Sequence, residues 1–139
     1  MPAFEEVEIG QQLPAERQRI EQSDLIRYAG ASGDFNPLHW DPAFAAEVSP
    51  TGGVIAHGML NMGLVSRVVT RWAGGPQHVR RLTASFRAAC PVGATVEVGG
   101  EVVDKDPAQR TATLAVWVTL EDGGKVIDRR SSQAVVLLS

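Results

Sequence analysis

Residues 56–72 read AHGMLNMGLVSRVVTRW and decide the fold. When this stretch is placed on a helix, apolar side chains occupy most of its circumference, and such a helix is buried on nearly all sides. We therefore predict one long buried helix that begins at about Ala56 or His57 and continues to Trp72. The sequence Gly74-Gly75-Pro76 ends it.

The segment between Glu47 and Arg67 has no charged residue of the Asp, Glu, Lys or Arg type. Its length is close to that of a membrane span, but Pro50, four glycines and several polar residues interrupt it. A glycine-rich loop followed by a buried helix is the better interpretation, and we predict no membrane association.

After this helix the pattern changes to alternation with period two, which predicts strands. Strands are predicted over Leu82–Ala88, 95–103, 111–120 and 125–138, with turns at 104–109 and 122–124. A short extended segment at Arg17–Ile20 brings the number to about five. An antiparallel sheet buries its apolar face by curling around the helix. We predict an α+β fold and a single domain over residues 1–139.

Two shorter helices are predicted before the long one. Ser23 is the predicted N-cap of the first, which ends at Gly30 and Gly33, and Asp41-Pro42 begins the second. Residues 32–40 between them form a loop, because the residue before a proline is disfavoured in a helix.

Charge and cysteine content exclude some function classes. The 139 residues contain 13 Lys and Arg against 16 Asp and Glu, which gives a net charge of -3. This is not the charge of a nucleic-acid-binding domain. The N-terminus is acidic and does not resemble a secretory signal. Cys90 is the only cysteine and cannot form an internal disulfide, so we expect a cytoplasmic location.

The loop brings Asp34, Asn36 and His39 within six residues of one another. A carboxylate beside an imidazole makes a proton-transfer pair. Addition or removal of water across a carbon–carbon double bond needs such a pair. The alternative is that Asp34 caps a turn and His39 is an ordinary loop histidine.

Gly58 stands near the predicted start of the long helix. The first N–H groups of a helix lack internal partners and lie at its positive end. They can stabilise the enolate oxygen that develops on a thioester, and a glycine permits close approach. The alternative is that Gly58 allows tight packing and that His57 caps the helix.

The sequence SGDFNPLH at 32–39, followed by AHGM at 56–59, resembles the hydratase motif of the MaoC-like hot dog proteins. This family includes the (R)-specific enoyl-CoA hydratases, and the chain is most similar to catalytic subunits of (3R)-hydroxyacyl-ACP dehydratases. The resemblance covers nearly the whole chain. It implies a hot dog fold and a dimer whose active sites lie near the subunit interface.

The resemblance also implies roles for individual residues. Asp34 and His39 would be the catalytic pair that activates water, and Asn36 would orient the loop or the substrate. The Gly58 N–H would bind the thioester carbonyl. Ser66 occupies a position that resembles a supporting one, although its hydroxyl could instead bond to the helix carbonyl four residues earlier.

The expected activity is that of a lyase that interconverts trans-2-enoyl and (3R)-3-hydroxyacyl thioesters. The substrate would be an acyl-CoA or acyl-ACP, and the partner a second hot dog subunit in a homodimer or heterodimer. The alternatives are a non-catalytic subunit that binds acyl chains and a hot dog thioesterase.

Other residues are candidates for metal or ligand binding. Asp34, His39, Asp41 and His57 could bind a metal, but no paired-ligand helix supports this and the reaction needs no metal, so we predict neither metal nor cofactor. A basic cluster could bind the phosphates of CoA or an acyl carrier protein. The alternative is that the helix dipole favours cations near the helix C-terminus. The cluster consists of Arg67, Arg71, Arg80, Arg81 and Arg87.

Overall fold

The computed structural model describes all residues from 1 to 139. Three α-helices are present: α1 (Gln22–Ser32), α2 (Pro42–Val48) and α3 (Gly58–Ala73). Six strands complete the chain: β1 (Glu16–Arg19), β2 (Val79–Thr83), β3 (Thr95–Asp106), β4 (Thr111–Leu120), β5 (Lys125–Ile127) and β6 (Gln133–Leu137). None of the helices has the length and apolar character needed to cross a membrane.

The strands form one antiparallel sheet in the order β1-β3-β4-β6-β2, with β5 beside the end of β4. Helix α3 contacts every strand from β2 to β6. Val65 and Val69 of the helix are fully buried in one cluster with Val98, Val116 and Val118 of the sheet. The predicted α+β architecture, an antiparallel sheet around one long helix, is confirmed, with six strands rather than about five.

Helix α3 has nearly the predicted limits. It begins at Gly58, directly after His57, and ends at Gly74, whose φ of 81° is left-handed. The expectation that it is buried on nearly all sides is wrong. Met59 is 55% exposed and Gly63 is also exposed. The sheet covers only one side of the helix, so a stripe along the other side stays accessible.

The predicted strand over 125–138 is two strands, because a polar segment separates β5 from β6. In it, Asp128 Oδ1 accepts a hydrogen bond from Arg130 N (3.2 Å) and the Asp128 carbonyl accepts one from Ser131 N (3.2 Å). The predicted strand over Leu82–Ala88 also ends early, at Thr83. Beyond it, an isolated bridge pairs Phe86 with Ile127, and three backbone hydrogen bonds join Ser85, Arg87 and Ala88 to residues 125–128.

The first short helix begins earlier than predicted. Its N-cap is Glu21 rather than Ser23, and Glu21 N donates to Asp24 Oδ2 at 2.9 Å. Gly30 lies inside α1, and Gly33 alone ends it with a φ of 77°. The predicted start of α2 is confirmed, because Asp41 Oδ1 accepts hydrogen bonds from Ala43 N and Phe44 N.

An ionic network attaches the edge strand β1 to α3. Arg67 Nε donates to Glu16 Oε2 at 2.9 Å and Arg67 Nη2 donates to Gln18 Oε1 at 2.8 Å, while Arg71 also pairs with Glu16. Burial raises the pKa of Glu16, but the hydrogen bonds from Arg71 and Arg67 outweigh it and hold the pKa below its ordinary value. The two arginines therefore have a structural role.

Candidate active site

Two chain segments meet at the candidate site. One is the loop at residues 33–41, and the other runs through residues 55–58 into α3. Local hydrogen bonds shape the loop: Asn36 Oδ1 accepts from Leu38 N at 3.0 Å, and Asp34 Oδ1 accepts from Asn36 N at 3.2 Å. Pro37 then begins a single 3-10 turn that ends at His39. The turn directs His39 inward while Asp34 stays at the surface.

Asp34 and His39 lie close together without a direct hydrogen bond. Asp34 Oδ2 is 3.9 Å from His39 Nε2, and the two side chains are 52% and 11% exposed. This distance exceeds that of a hydrogen bond, but one oxygen atom between the two groups can bond to both at about 2.8 Å from each. The pair can therefore hold a water molecule or a substrate hydroxyl.

The main chain fixes which nitrogen of His39 carries a proton. His39 Nδ1 lies 2.7 Å from the Ile55 carbonyl oxygen. A carbonyl only accepts, so Nδ1 carries the hydrogen and the neutral ring keeps its lone pair on Nε2. Nε2 is the nitrogen next to Asp34, which places a proton acceptor at the gap.

His57 lies behind His39. Its ring stacks on the His39 ring with centroids 3.8 Å apart and planes at 24°, and the Tyr28 ring meets it at 64°. His57 Nε2 donates to the main-chain carbonyl of Asp34 at 3.1 Å. Burial lowers the pKa of His57, although the hydrogen bond to Asp34 opposes part of this effect. Burial therefore favours the neutral form of the ring.

This contact was missed from the sequence. The sequence suggests only a helix cap or a metal ligand at His57, and its side chain makes no capping hydrogen bond. The sequence signal that could have indicated this contact is a second histidine, His57, directly before Gly58 at the helix start.

The Gly58 N–H has no hydrogen-bond partner within the protein. Gly58 lines a cavity of about 250 Å³ whose lining residues are mostly hydrophobic. Asn61, one turn along the helix, also lines this cavity. Its Nδ2 donates to the His57 carbonyl at 3.3 Å, while its Oδ1 is buried without a partner. Asn61 was not singled out from the sequence, where it is the single amide on a largely apolar helix.

The structure does not bring all the candidate residues together. Asn36 is exposed, and its side chain supports the loop rather than contacting the side chain of Asp34 or His39. The Ser66 hydroxyl has no hydrogen bond, either to the helix carbonyl four residues earlier or to the site. It lies eight residues beyond Gly58, which is about 12 Å along the helix.

The geometry favours hydrogen bonding over metal binding by Asp34, His39 and His57. Their possible ligand atoms lie within 4.8 Å of one another. However, Ile55 O and Asp34 O each occupy one nitrogen of a ring. The two rings are nearly parallel, so their remaining lone pairs do not point to one common ion. Asp41, the fourth candidate, caps α2.

The predicted basic cluster is divided in the structure. Arg67 and Arg71 bind Glu16, and Arg87 Nε lies 3.9 Å from Asp128 Oδ2. Arg80 and Arg81 are exposed on β2 and form no ion pair. A patch for phosphates or an acidic carrier would therefore depend on Arg80, Arg81 and Arg87.

The chain is similar to known proteins over most of its length. The model of the MaoC-like domain family matches residues 5–123. The chain is 39% identical over 113 residues to the 3-hydroxybutyryl-CoA dehydratase of Methylorubrum extorquens, and this match covers 81% of the chain and 71% of that protein.

Two solved structures have the same fold. A MaoC-like dehydratase superposes with a TM-score of 0.91 at 35% identity; the match covers 99% of this chain but 42% of that one, so this chain spans less than half of that protein. An (R)-hydratase from A. caviae involved in PHA biosynthesis superposes with a TM-score of 0.86 at 30% identity, covering 96% of this chain and 98% of that one.

Proposed function

This chain belongs to the MaoC-like domain family, and on that basis we propose that it is a lyase that interconverts trans-2-enoyl and (3R)-3-hydroxyacyl thioesters by adding or removing water. The observation that carries this proposal is the 3.9 Å gap between Asp34 Oδ2 and His39 Nε2, together with a Gly58 N–H that has no hydrogen-bond partner within the protein. The similarity to a 3-hydroxybutyryl-CoA dehydratase and to an (R)-hydratase supports the substrate class and the stereochemistry.

In the hydration direction, a water molecule lies between the two side chains. The lone pair of His39 Nε2 takes one proton from this water while the oxygen forms a bond to C3 of the enoyl thioester. The Asp34 carboxylate orients the water and stabilises the imidazolium that results. The proton then passes from His39 to C2, so that one water molecule is added in total.

The electrons of the carbon–carbon double bond move toward the thioester oxygen as the new bond forms. In this proposal the Gly58 N–H donates a hydrogen bond to that oxygen, at the positive end of a 16-residue helix. The negative charge leaves the thioester oxygen when C2 takes the proton. Dehydration follows the same steps in reverse.

We propose that the chain works as a dimer with a second hot dog subunit, either a copy of itself or a different chain. Support comes from large apolar side chains that are exposed around the site. Phe35 in the loop is 62% exposed and Met59 at the start of α3 is 55% exposed, and Trp40 and Phe86 are also exposed. Such a patch is typical of an interface.

The carrier of the acyl group is proposed to be CoA or acyl carrier protein. Both present the thioester on a flexible phosphate-bearing arm, and the free guanidinium groups of Arg80 and Arg81 suit either. A cytoplasmic location remains a prediction, based on the single cysteine.

Hydration of crotonyl-CoA by the purified chain tests the activity. We expect loss of the enoyl absorbance and formation of (3R)-hydroxybutyryl-CoA, identified by chiral analysis. Asp34→Asn should remove the activity. Glu97→Gln, which changes an exposed carboxylate on β3 in the same way, should retain it.

Release of free CoA thiol without a hydroxyacyl product would contradict the lyase and indicate a thioesterase. A folded chain without activity would be assayed again with acyl-ACP and after co-purification of a partner. Inactivity under all these conditions would indicate the non-catalytic alternative.

A further inference from the structure

We propose that His57 is a positioning residue that holds Asp34 and His39 at their working separation. The inference rests on the proposed function, since it concerns the same pair. The ring nitrogens of His57 make no hydrogen bond to the side chain of either residue. Its Nδ1 is buried and has no partner, and its Nε2 bonds to the main chain of Asp34.

The two histidines bind the two segments of the site to each other in opposite directions. His39 belongs to the loop and donates to the Ile55 carbonyl in the segment before α3, at 2.7 Å. His57 belongs to that second segment and donates to the Asp34 carbonyl in the loop, at 3.1 Å. We call these two hydrogen bonds, with the ring stack between them, the cross-brace. Ile55 N also donates to Leu38 O at 3.3 Å.

The cross-brace acts on the catalytic residues themselves. One bond ends on the carbonyl of Asp34 and the other begins on the ring of His39, so both control the 3.9 Å gap. His57 is held in turn by the face of His39 and the edge of Tyr28. A displacement of about 1 Å at a reacting group can reduce a rate by about 10²-fold, which gives this brace a measurable effect on turnover.

The first test needs no activity. The chain has three histidines, so nitrogen spectra of histidine-labelled protein can resolve each ring. We expect His39 to carry its proton on Nδ1 and His57 to carry its proton on Nε2. In His57→Phe, which keeps a flat ring but loses the donor to Asp34 O, we expect the nitrogen signals of His39 to shift, because the His39–Ile55 hydrogen bond is then the one ring hydrogen bond left between the two segments. An unchanged His39, or a wild-type His57 protonated on Nδ1 alone, overturns the proposal.

The second test compares two amides at position 57. The amide nitrogen of glutamine is the same number of bonds from Cβ as the Nε2 of histidine. The amide nitrogen of asparagine is one bond closer to Cβ. We expect His57→Asn and His57→Phe to lower kcat at least tenfold with KM changed less than threefold. We expect His57→Gln to remain within about threefold of wild type. Equal kcat in the Gln and Asn variants, or full activity in the Phe variant, contradicts the role.

A matched control is His78→Gln at the third histidine, which lies beyond α3 and should leave kcat unchanged. If His57→Phe does not fold, the Gln and Asn variants decide the question. If the wild-type chain hydrates no enoyl thioester, the proposed function fails, and the tautomer spectra still show whether His57 holds His39.

Discussion

The ring of Phe86 lies against the Cα of Gly58. A Cβ built on Gly58 would stand 3.3 Å from Phe86 Cε1, which is closer than most such contacts. Phe86 is 45% exposed and its ring can turn away, and Gly58 has no left-handed φ. A side chain at position 58 is therefore limited by the Phe86 ring and not by the backbone conformation.

Gly58→Ala should lower kcat/KM at least tenfold without unfolding the protein. The added methyl group crowds the space in which the thioester oxygen must approach the N–H, and loss of one oxyanion donor costs about 10²- to 10³-fold in other enzymes. The free energy of unfolding should change by less than about 1 kcal/mol, since alanine favours a helix over glycine. Steady-state kinetics and urea unfolding measure the two quantities.

Two companion variants separate the causes. Gly30→Ala lies inside α1 with open space around it, and it should leave kcat/KM unchanged. Adding Phe86→Leu to Gly58→Ala should restore part of the lost rate by removing the ring. No recovery in the double variant would show that the ring is not the source of crowding.

Asp34→Asn and His39→Gln should each reduce kcat by about 10² to 10⁴, the usual contribution of acid–base catalysis. Asparagine cannot stabilise an imidazolium, and glutamine cannot take a proton from water. Circular dichroism should be unchanged, because Asp34 is exposed and neither substitution fills or empties the main core. Near-normal turnover in both variants would remove these two residues from the mechanism.

The free energy of unfolding should decrease as the pH falls below about 6.5, and His57 should account for part of the decrease. Burial holds the pKa of His57 below its ordinary value of 6.5 in the folded state. Between the two pKa values the unfolded chain binds more protons, so acid favours unfolding, by at most about 1.4 kcal/mol per pH unit from one group.

Urea unfolding between pH 7.5 and 5.5 checks this, with His57→Gln as the comparison. The wild type should lose more stability over this interval than the variant. Glu16 and Glu101 also have lowered pKa values, but their effect begins near pH 4.5 and is shared by both proteins. Equal slopes above pH 5.5 would contradict a buried, neutral His57.

The Cys90 thiol should be unreactive in the folded protein. Burial raises its pKa to about 11, and it is 1% exposed. At pH 8 the thiolate fraction is then about 10²-fold below that of a free cysteine, and access is restricted as well. A thiol-specific disulfide reagent should label the chain in urea and not before. Rapid labelling of the native protein would show that the segment between β2 and β3 opens.

The parts of the fold that follow from local chemistry were predictable. Asp41 caps α2 through its own side chain, Gly74 ends α3 in a left-handed conformation, and β4 has the predicted limits. The prediction of a single strand over 125–138 was wrong, because the apolar alternation on both sides of a polar turn reads as one continuous pattern. That turn is fixed by Ser132, whose hydroxyl accepts a hydrogen bond from distant Ser85 N.

The site was predictable only in part. The spacing of Asp34 and His39, and the position of Gly58 at a helix start, follow from the sequence. The stacking of His57 on His39 does not, because it depends on how the loop docks against a segment sixteen residues further along. The exposed stripe of α3 likewise depends on which side of the helix the sheet covers.

The two outer strands of the sheet have a consequence for the chain before it meets a partner. An exposed strand edge is a template on which other chains can add. Here β1 exposes Arg17 and Arg19, and β2 exposes Arg80 and Arg81 beside an irregular register at Val79. A second copy that tried to extend the sheet in register would bring like charges together. The arginines on both outer strands therefore disfavour fibre-like growth of the sheet.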